Sequence, residues 1–261
     1  MMNEKRQRAD QLLVSQQLAG SRAQAARLIK AGLVSVAQGG LWLAVEKPSQ
    51  PLAGDAVLRV AENEASRFVS RGALKLAHAL QSAQVEVTGL TALDVGQSTG
   101  GFTDCLLQAG AVHVVGVDVG HDQLAAKLRA DPRVTCLEGI NARQLPAASL
   151  LELCPGGYDL IVMDVSFISQ TLILPNLPAL LRPGGYLISL VKPQFEVGRE
   201  HVGKGGLVRD AALYPQLQAK IETLVVELGL AVRFFLPSPI TGGDGNREFL
   251  LLAQKPSGAG G

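Results

Sequence analysis

The amino-acid sequence predicts a doubly wound, mainly parallel α/β sheet preceded by a small α+β module. Three observations carry this expectation. From Thr91 onward, short apolar runs alternate with helical patterns at close intervals, as in strands joined by crossover helices. The first run, Leu90 to Leu93, leads through Asp94-Val95-Gly96-Gln97-Ser98-Thr99-Gly100-Gly101 into the helix-like Phe102 to Gln108. Residues 1 to about 60 follow a different pattern, with two short helices feeding a few strands.

In chain order, Ala9 to Leu18 reads as a short amphipathic helix with Leu12 and Leu13 on its apolar side. Ser21 stands as an N-cap with Gln24 three residues on, a capping box. Ala25, Leu28 and Ile29 share one face of the helix that follows, Gly32 ends it, and Arg22, Arg27 and Lys30 fall on the opposite side. The period then changes to two, with Val34 and Val36 alternating toward the turn Gln38-Gly39-Gly40, and another strand is expected within Asp55 to Val60. Trp42 is expected to pack, with a surface anchor as the alternative. The basic helical face suits either RNA or plain solvation. Ala61 to Ser66 reads as a linker.

In the larger part, strands are expected near 91–95, 113–118, 134–138, 158–164, 184–191, 230–236 and 248–253. Helices are expected over 102–109, 121–130 and 210–228. Ligands of such sheets bind at the carboxyl ends of strands. There a strand that runs out in glycines lets a ligand approach the backbone closely. Asp118, ending the next apolar run, lies near the ~20-residue spacing at which a carboxylate meets ribose hydroxyls. A nucleoside-containing cofactor follows, of unspecified kind.

Asp164 and Lys192 each end an apolar run and so fall at strand carboxyl ends. A charge there is costly unless paired or facing a cleft, so the two form either a structural salt bridge or part of a site. Lys75 lies in a helix leading into the first strand of the sheet, and Glu248 lies at the start of the last strand. If that strand runs antiparallel, Glu248 meets the carboxyl ends of the others.

Composition removes several classes. Net charge of +1 gives no global pull toward polyanions, so a nucleic-acid role rests on local patches. Aromatic residues at 4% argue against a row of base-stacking platforms. Cys105, Cys136 and Cys154 form no Cys-x-x-Cys pair, which fits a reducing cytoplasm, and His78, His113, His121 and His201 lack metal-ligand spacing. The polar amino terminus is no signal peptide, and no apolar run approaches the ~20 residues that cross a bilayer. A soluble cytoplasmic protein without a metal is expected, with residues 256–261 a disordered tail.

Five segments, in order, resemble one family. They are Ser70 to Leu76, the glycine loop, Asp164 to Ser169, Val191 to Glu196, and Ser238 to Phe249. Together they are similar to the hemolysin A (TlyA) family of ribosomal RNA 2′-O-methyltransferases. Ser21-Arg22, Ala25, Leu28-Ile29 and Gly32 resemble the S4-type RNA-binding domain of that family. The resemblance implies an S4-like domain over 1–60, a linker over 61–66, and an FtsJ-like methyltransferase domain over 67–255. That domain is a Rossmann-like sheet with helices on both faces that uses S-adenosylmethionine.

The family's Lys-Asp-Lys-Glu tetrad falls on Lys75, Asp164, Lys192 and Glu248. Gly96, Ser98, Thr99, Gly100 and Gly101 would line the methionine part of the cofactor, with Asp118 on its ribose. Asp94 would position the amino-acid end or brace the loop, and Asn141 would meet the adenine edge. Arg6, Arg8, Arg22, Arg27, Lys30, Arg67 and Arg71 would face RNA phosphates, which position RNA without reading its sequence. The implied target is a cytidine ribose of ribosomal RNA on the small or large subunit, modified by a monomer. Gln97 stands where the family has alanine, Ala9 where it has leucine and Gln38 where it has asparagine.

Other readings fit less well. A dinucleotide dehydrogenase wants Gly-x-Gly-x-x-Gly, which the loop lacks. A base methyltransferase of the adenine-N6 type would place prolines after Asp164, and a cytosine-C5 type needs a cysteine at these strand ends. A membrane-active cytolysin, suggested by the family's older name, lacks a basic amphipathic helix.

Overall fold

A computed structural model describes residues 6–61 and 67–257. The expected linker beyond Ala61 and the tail beyond Ser257 lie outside these residues. The chain forms two compact units that divide between Ser70 and Arg71, a few residues beyond the expected start of the larger domain.

In the smaller unit, β1 (Arg6–Arg8) pairs antiparallel with β4 (Pro51–Ala53). Between them come α1 (Ala9–Ser15), α2 (Arg22–Lys30), β2 (Val34–Gln38) and β3 (Leu41–Ala44). Strand β5 (Leu58–Val60) joins β2 and β3 in an antiparallel sheet of order β3-β2-β5. Helix α1 ends at Ser15, short of the expected Leu18, because Gln17 turns to φ 60°. Ser21 caps α2 by accepting from the Gln24 amide at 3.2 Å. The Gln24 side chain accepts from Gly20 rather than from the cap residue itself.

Leu12, Leu13, Leu28, Ile29, Val34 and Val36 close a single small core. Asp10, almost fully buried, is held by the guanidinium groups of Arg8 at 2.9 Å and Arg22 at 3.2 Å. Trp42 is not a packing residue: it stands 42% exposed on edge strand β3.

The larger unit opens with α3 (Gly72–Ala83) and builds a seven-stranded sheet. Its elements run β6 (Thr91–Val95), α4 (Gly101–Gln108), β7 (His113–Asp118), α5 (Ala126–Arg129), β8 (Val134–Glu138), α6 (Ala147–Leu153) and β9 (Tyr158–Met163). Then follow β10 (Leu181–Val191), α7 (Leu213–Glu227), β11 (Ala231–Pro237) and β12 (Phe249–Gln254). The order across the sheet is β11-β12-β10-β9-β6-β7-β8, and only β12 runs against its neighbours.

Alternation along the strands sends side chains to two covered faces. Leu93, Val95, Ile161 and Met163 join a cluster with Leu150 of α6 and Leu217, Ile221 and Val225 of α7. Their neighbour Asp94 points the other way, toward α4. The helix expected over 121–130 forms only as α5, because Asp122 and Gln123 are engaged in loop hydrogen bonds to Glu138 and Ser98. Strand β10 starts earlier than expected, at Leu181, across a register shift before Tyr186.

The hydrogen bond from Arg8, helped by that from Arg22, holds the Asp10 carboxyl down at about 2 against the upward push of burial. A depressed pKa contributes stability above the unfolded value of about 4, and that contribution is lost as pH falls toward 2. Asp10→Asn is expected to cost the smaller unit about 1–3 kcal/mol at pH 7. Urea unfolding followed by the fluorescence of Trp42, the chain's one tryptophan, measures it. The cost should shrink toward pH 2.

Candidate active site

From β6 the chain moves to one side through β7 and β8, then returns to place β9 on the other side of β6. Such a reversal opens a crevice at the strand carboxyl ends. Here the two strands are stitched at that point, the Asp164 amide donating to the Val95 carbonyl at 3.0 Å. Gly96 follows with φ +86°, and a Cβ there would lie 2.5 Å from the Asp164 carbonyl oxygen. Only glycine lets the loop pass so close to β9.

A cavity of about 490 Å³ occupies the crevice, lined by Gly96, Ser98, Asp118, Asn141, Asp164 and Phe167 among others. Asp118 ties its rim together, accepting from the amides of Ser98 and Gly120, each at 2.7 Å. Val119, Ile140 and Ala142 add apolar surface. Apolar surface beside a carboxylate at the end of β7 is the chemistry that a nucleoside would need there.

Four residues expected at this ligand do not line the cavity. Thr99 uses its carbonyl to accept from the Ala125 amide. Gly100, at φ +89°, is needed because a side chain there would collide with Leu124 and Leu128. Gly101 is the buried first residue of α4. Asp94 lies fully buried, accepting from the Thr103 hydroxyl at 2.7 Å, so the geometry favours bracing over ligand contact. Gln97, also buried, continues the chain by donating to Thr103 at 2.9 Å, with its amide lying over Gly116. Complete burial is the main cause that pushes the Asp94 carboxyl up to about 7.

A second cavity of about 420 Å³ adjoins the first and shares Ser166 and Phe167 with it. Lys192, Gln194, Phe195, Asp244 and Glu248 line it. The tetrad resolves into two ion pairs. Lys192 Nζ lies 2.6 Å from Asp164 Oδ1 and donates to the Ser166 hydroxyl at 2.8 Å. Lys75 of α3 donates to Glu248, both almost fully buried. The reversed direction of β12 is what brings Glu248 to this edge. Asp164 lines the first cavity and Lys192 the second, so their pair crosses the wall between the two.

Buried polar groups hold the loops that form this wall. Glu196 accepts from the Ser169 hydroxyl at 2.6 Å and the Gln170 amide at 2.7 Å, and burial pushes its carboxyl up. Asn246 donates to the Gly206 carbonyl at 2.8 Å and accepts from the Val208 amide at 3.0 Å. Phe167 was not singled out by sequence reasoning. It sits at φ +64°, 92% exposed, with its ring 5.3 Å from that of Phe195. A bulky residue with positive φ in a chain of strand-end residues was the available signal only once backbone angles were known.

All seven residues expected at RNA are exposed. Arg8 and Arg22 are brought together on Asp10, and the Arg67 guanidinium lies over the Phe68 ring at 5.1 Å. Arg6, Arg27 and Lys30 belong with these to the smaller unit, and Arg71 to the larger.

The switch-point crevice, its cavity and the lysine–carboxylate wall all fall within residues 68–255, which match the FtsJ-like methyltransferase model. The chain belongs to that family, within its TlyA/hemolysin A group, and uses S-adenosylmethionine. It is 44% identical over 251 residues to the 16S/23S rRNA (cytidine-2′-O)-methyltransferase TlyA of Mycobacterium tuberculosis, covering 95% of this chain and 89% of that one. Hemolysin A of Brachyspira hyodysenteriae is 36% identical over 243 residues, covering 93% of this chain and 98% of that one. A solved structure titled as a hemolysin, from Streptococcus thermophilus, is 40% identical with TM-score 0.72, covering 97% of this chain and 90% of that chain. Among the described residues no helix is long and apolar enough to cross a membrane.

Gly96→Ala is expected to keep the fold by circular dichroism and to weaken S-adenosylmethionine binding at least about tenfold by calorimetry, since a Cβ at positive φ alone costs roughly 1–2 kcal/mol. The raised Asp94 pKa means that the folded state holds a proton the unfolded chain has released. Its stability contribution is therefore present below about 4 and lost as pH rises through about 7. Asp94→Asn is expected to flatten unfolding stability across that window; an unchanged pH slope contradicts the assignment.

Proposed function

We propose that the protein transfers a methyl group from S-adenosylmethionine to a cytidine ribose 2′-hydroxyl of ribosomal RNA, acting in the cytoplasm as a monomer on one or both subunits. The observation that carries this reading is the Asp164–Lys192 pair, which crosses the wall between the cavity bordered by Gly96 and Asp118 and a second cavity lined by Lys192. The 44% identity to a relative named for cytidine 2′-O-methylation supports the acceptor.

When bound, S-adenosylmethionine supplies an electron-poor methyl carbon. Gly96, Ser98, Asp118 and Asn141 would hold it in the first cavity. Lys192 lies in the second, where its amine, having first lost a proton to solvent, takes up the hydroxyl proton, or its ammonium form steadies the negative charge on the ribose oxygen while solvent takes the proton. Asp164 and Ser166 fix the position of its ammonium group. Glu248 and Lys75 form the second, more buried pair beside the acceptor. Alignment of oxygen and methyl carbon is worth up to about 7–11 kcal/mol in favourable cases, so positioning is the main task of these residues.

Phe167 gives the acceptor cavity a flat apolar surface. Its ring stands in water at a disfavoured backbone angle, an arrangement suited to stacking on the target nucleobase. The exposed arginines and Lys30 of the smaller unit, an S4-like module in this reading, would meet RNA phosphates.

Incubation with unmodified ribosomal subunits and labelled cofactor, followed by nucleoside mass spectrometry, is expected to yield 2′-O-methylcytidine. A methylated base, or no label on either subunit, overturns the reading. Lys192→Ala is expected to bind cofactor normally and to transfer about 10²–10⁴-fold more slowly.

A further inference from the structure

The core of the smaller unit is complete without Trp42. The pairing register explains where that side chain goes. Val36 faces Leu43 and Leu58 on one side of the sheet, while Ser35, Ala37, Trp42, Ala44 and Arg59 share the other. The second set is partly or fully exposed. Trp42 on β3 and Arg59 on β5 are separated by the whole width of β2. The side chains between them are only those of Ser35 and Ala37, so the two long residues meet above β2, with the Arg59 guanidinium 4.4 Å from the Trp42 ring centre.

A tryptophan left exposed forgoes the burial that normally favours its position, which marks a surface held ready for a partner. Charge selects that partner. None of the five outward residues is acidic, and Arg59 makes no ion pair among the described residues. The guanidinium is thus free to meet an anion. It also restrains the indole ring by a cation–π contact and offers a stacking plane of its own.

We propose that this outward sheet face is a stacking site for one unpaired nucleobase, with Arg59 on the adjoining phosphate. The inference rests on the ribosomal RNA reading above and assigns to the smaller unit a contact distinct from the arginines of α2. A single platform agrees with a chain whose aromatic content is too low for a row of them. It would favour a loop or bulge over a continuous duplex, because bases stacked inside a helix cannot reach an indole ring.

Trp42 is the chain's one tryptophan, so its fluorescence reports the site directly. Titration of the full chain with a single-stranded RNA dodecamer of mixed sequence is expected to quench it, and the same sequence as a blunt duplex is not. By anisotropy of end-labelled RNA, Trp42→Ala should weaken single-strand binding about tenfold while Trp42→Phe keeps most of the affinity. Arg59→Ala should also weaken binding and flatten its salt dependence. Thermal unfolding of Trp42→Ala should match wild type, which excludes a folding defect.

Unquenched fluorescence together with wild-type affinity in Trp42→Ala overturns the proposal. So does displacement of the RNA by an equal charge of polyglutamate, which would mark an acidic-peptide surface. The same preparations are assayed on unmodified subunits. Normal methyl transfer beside unquenched Trp42 removes the stacking site alone, whereas absent transfer removes the ribosomal reading on which it rests.

Discussion

The contact between Lys192 and Asp164 joins the ends of two neighbouring parallel strands, β10 and β9, and everything else at this edge of the sheet is arranged around it. A lysine at a strand end is costly unless paired, and pairing it with the carboxylate that borders the first cavity holds its ammonium group at the wall between the two cavities. The constraint reaches outward. Gly96 has to be glycine because β6 and β9 meet closely where Asp164 begins. Glu196 and Asn246 are buried polar residues whose hydrogen bonds hold the wall and rim in register. With their own hydrogen bonds made, these two side chains stiffen the loops that carry them.

The second ion pair, Lys75 with Glu248, depends on a topological detail. In an all-parallel sheet the first residue before β12 would sit at the opposite edge. The antiparallel run of β12 between β10 and β11 delivers Glu248 to the strand carboxyl ends and within reach of α3. One reversed strand therefore completes a four-residue group drawn from a helix and three strands. Folding and local geometry are coupled here, since the pairing that adds β12 to the sheet also brings Glu248 to the cavity that Lys192 lines.

The strands of the larger unit were legible because each is a short apolar run bounded by turn residues, and the two acidic strand ends, Asp118 and Asp164, stood out as charges following buried segments. Glu248 was legible only conditionally, because strand direction is a tertiary property. The role of the glycine loop was read too uniformly. Gly96 borders the cavity, but Gly100 serves the packing of Leu124 and Leu128 and Asp94 serves a buried relay to Thr103 and Gln97, distinctions that depend on which way each residue points. Trp42 was misread because composition favours burial of a lone tryptophan, while register sends it outward across β2. Phe167 was missed because an exposed ring at positive φ leaves no mark in a pattern of apolar residues.

A structure of the chain with S-adenosylhomocysteine and its ribosomal substrate tests the central claim most directly, through the position of one oxygen. The account requires the target ribose 2′-oxygen in the second cavity, within hydrogen-bond reach of Lys192 Nζ, about 2.6–3.2 Å. A 2′-oxygen beyond reach of Lys192, or a base nitrogen or carbon directed at the sulfur in its place, would contradict it.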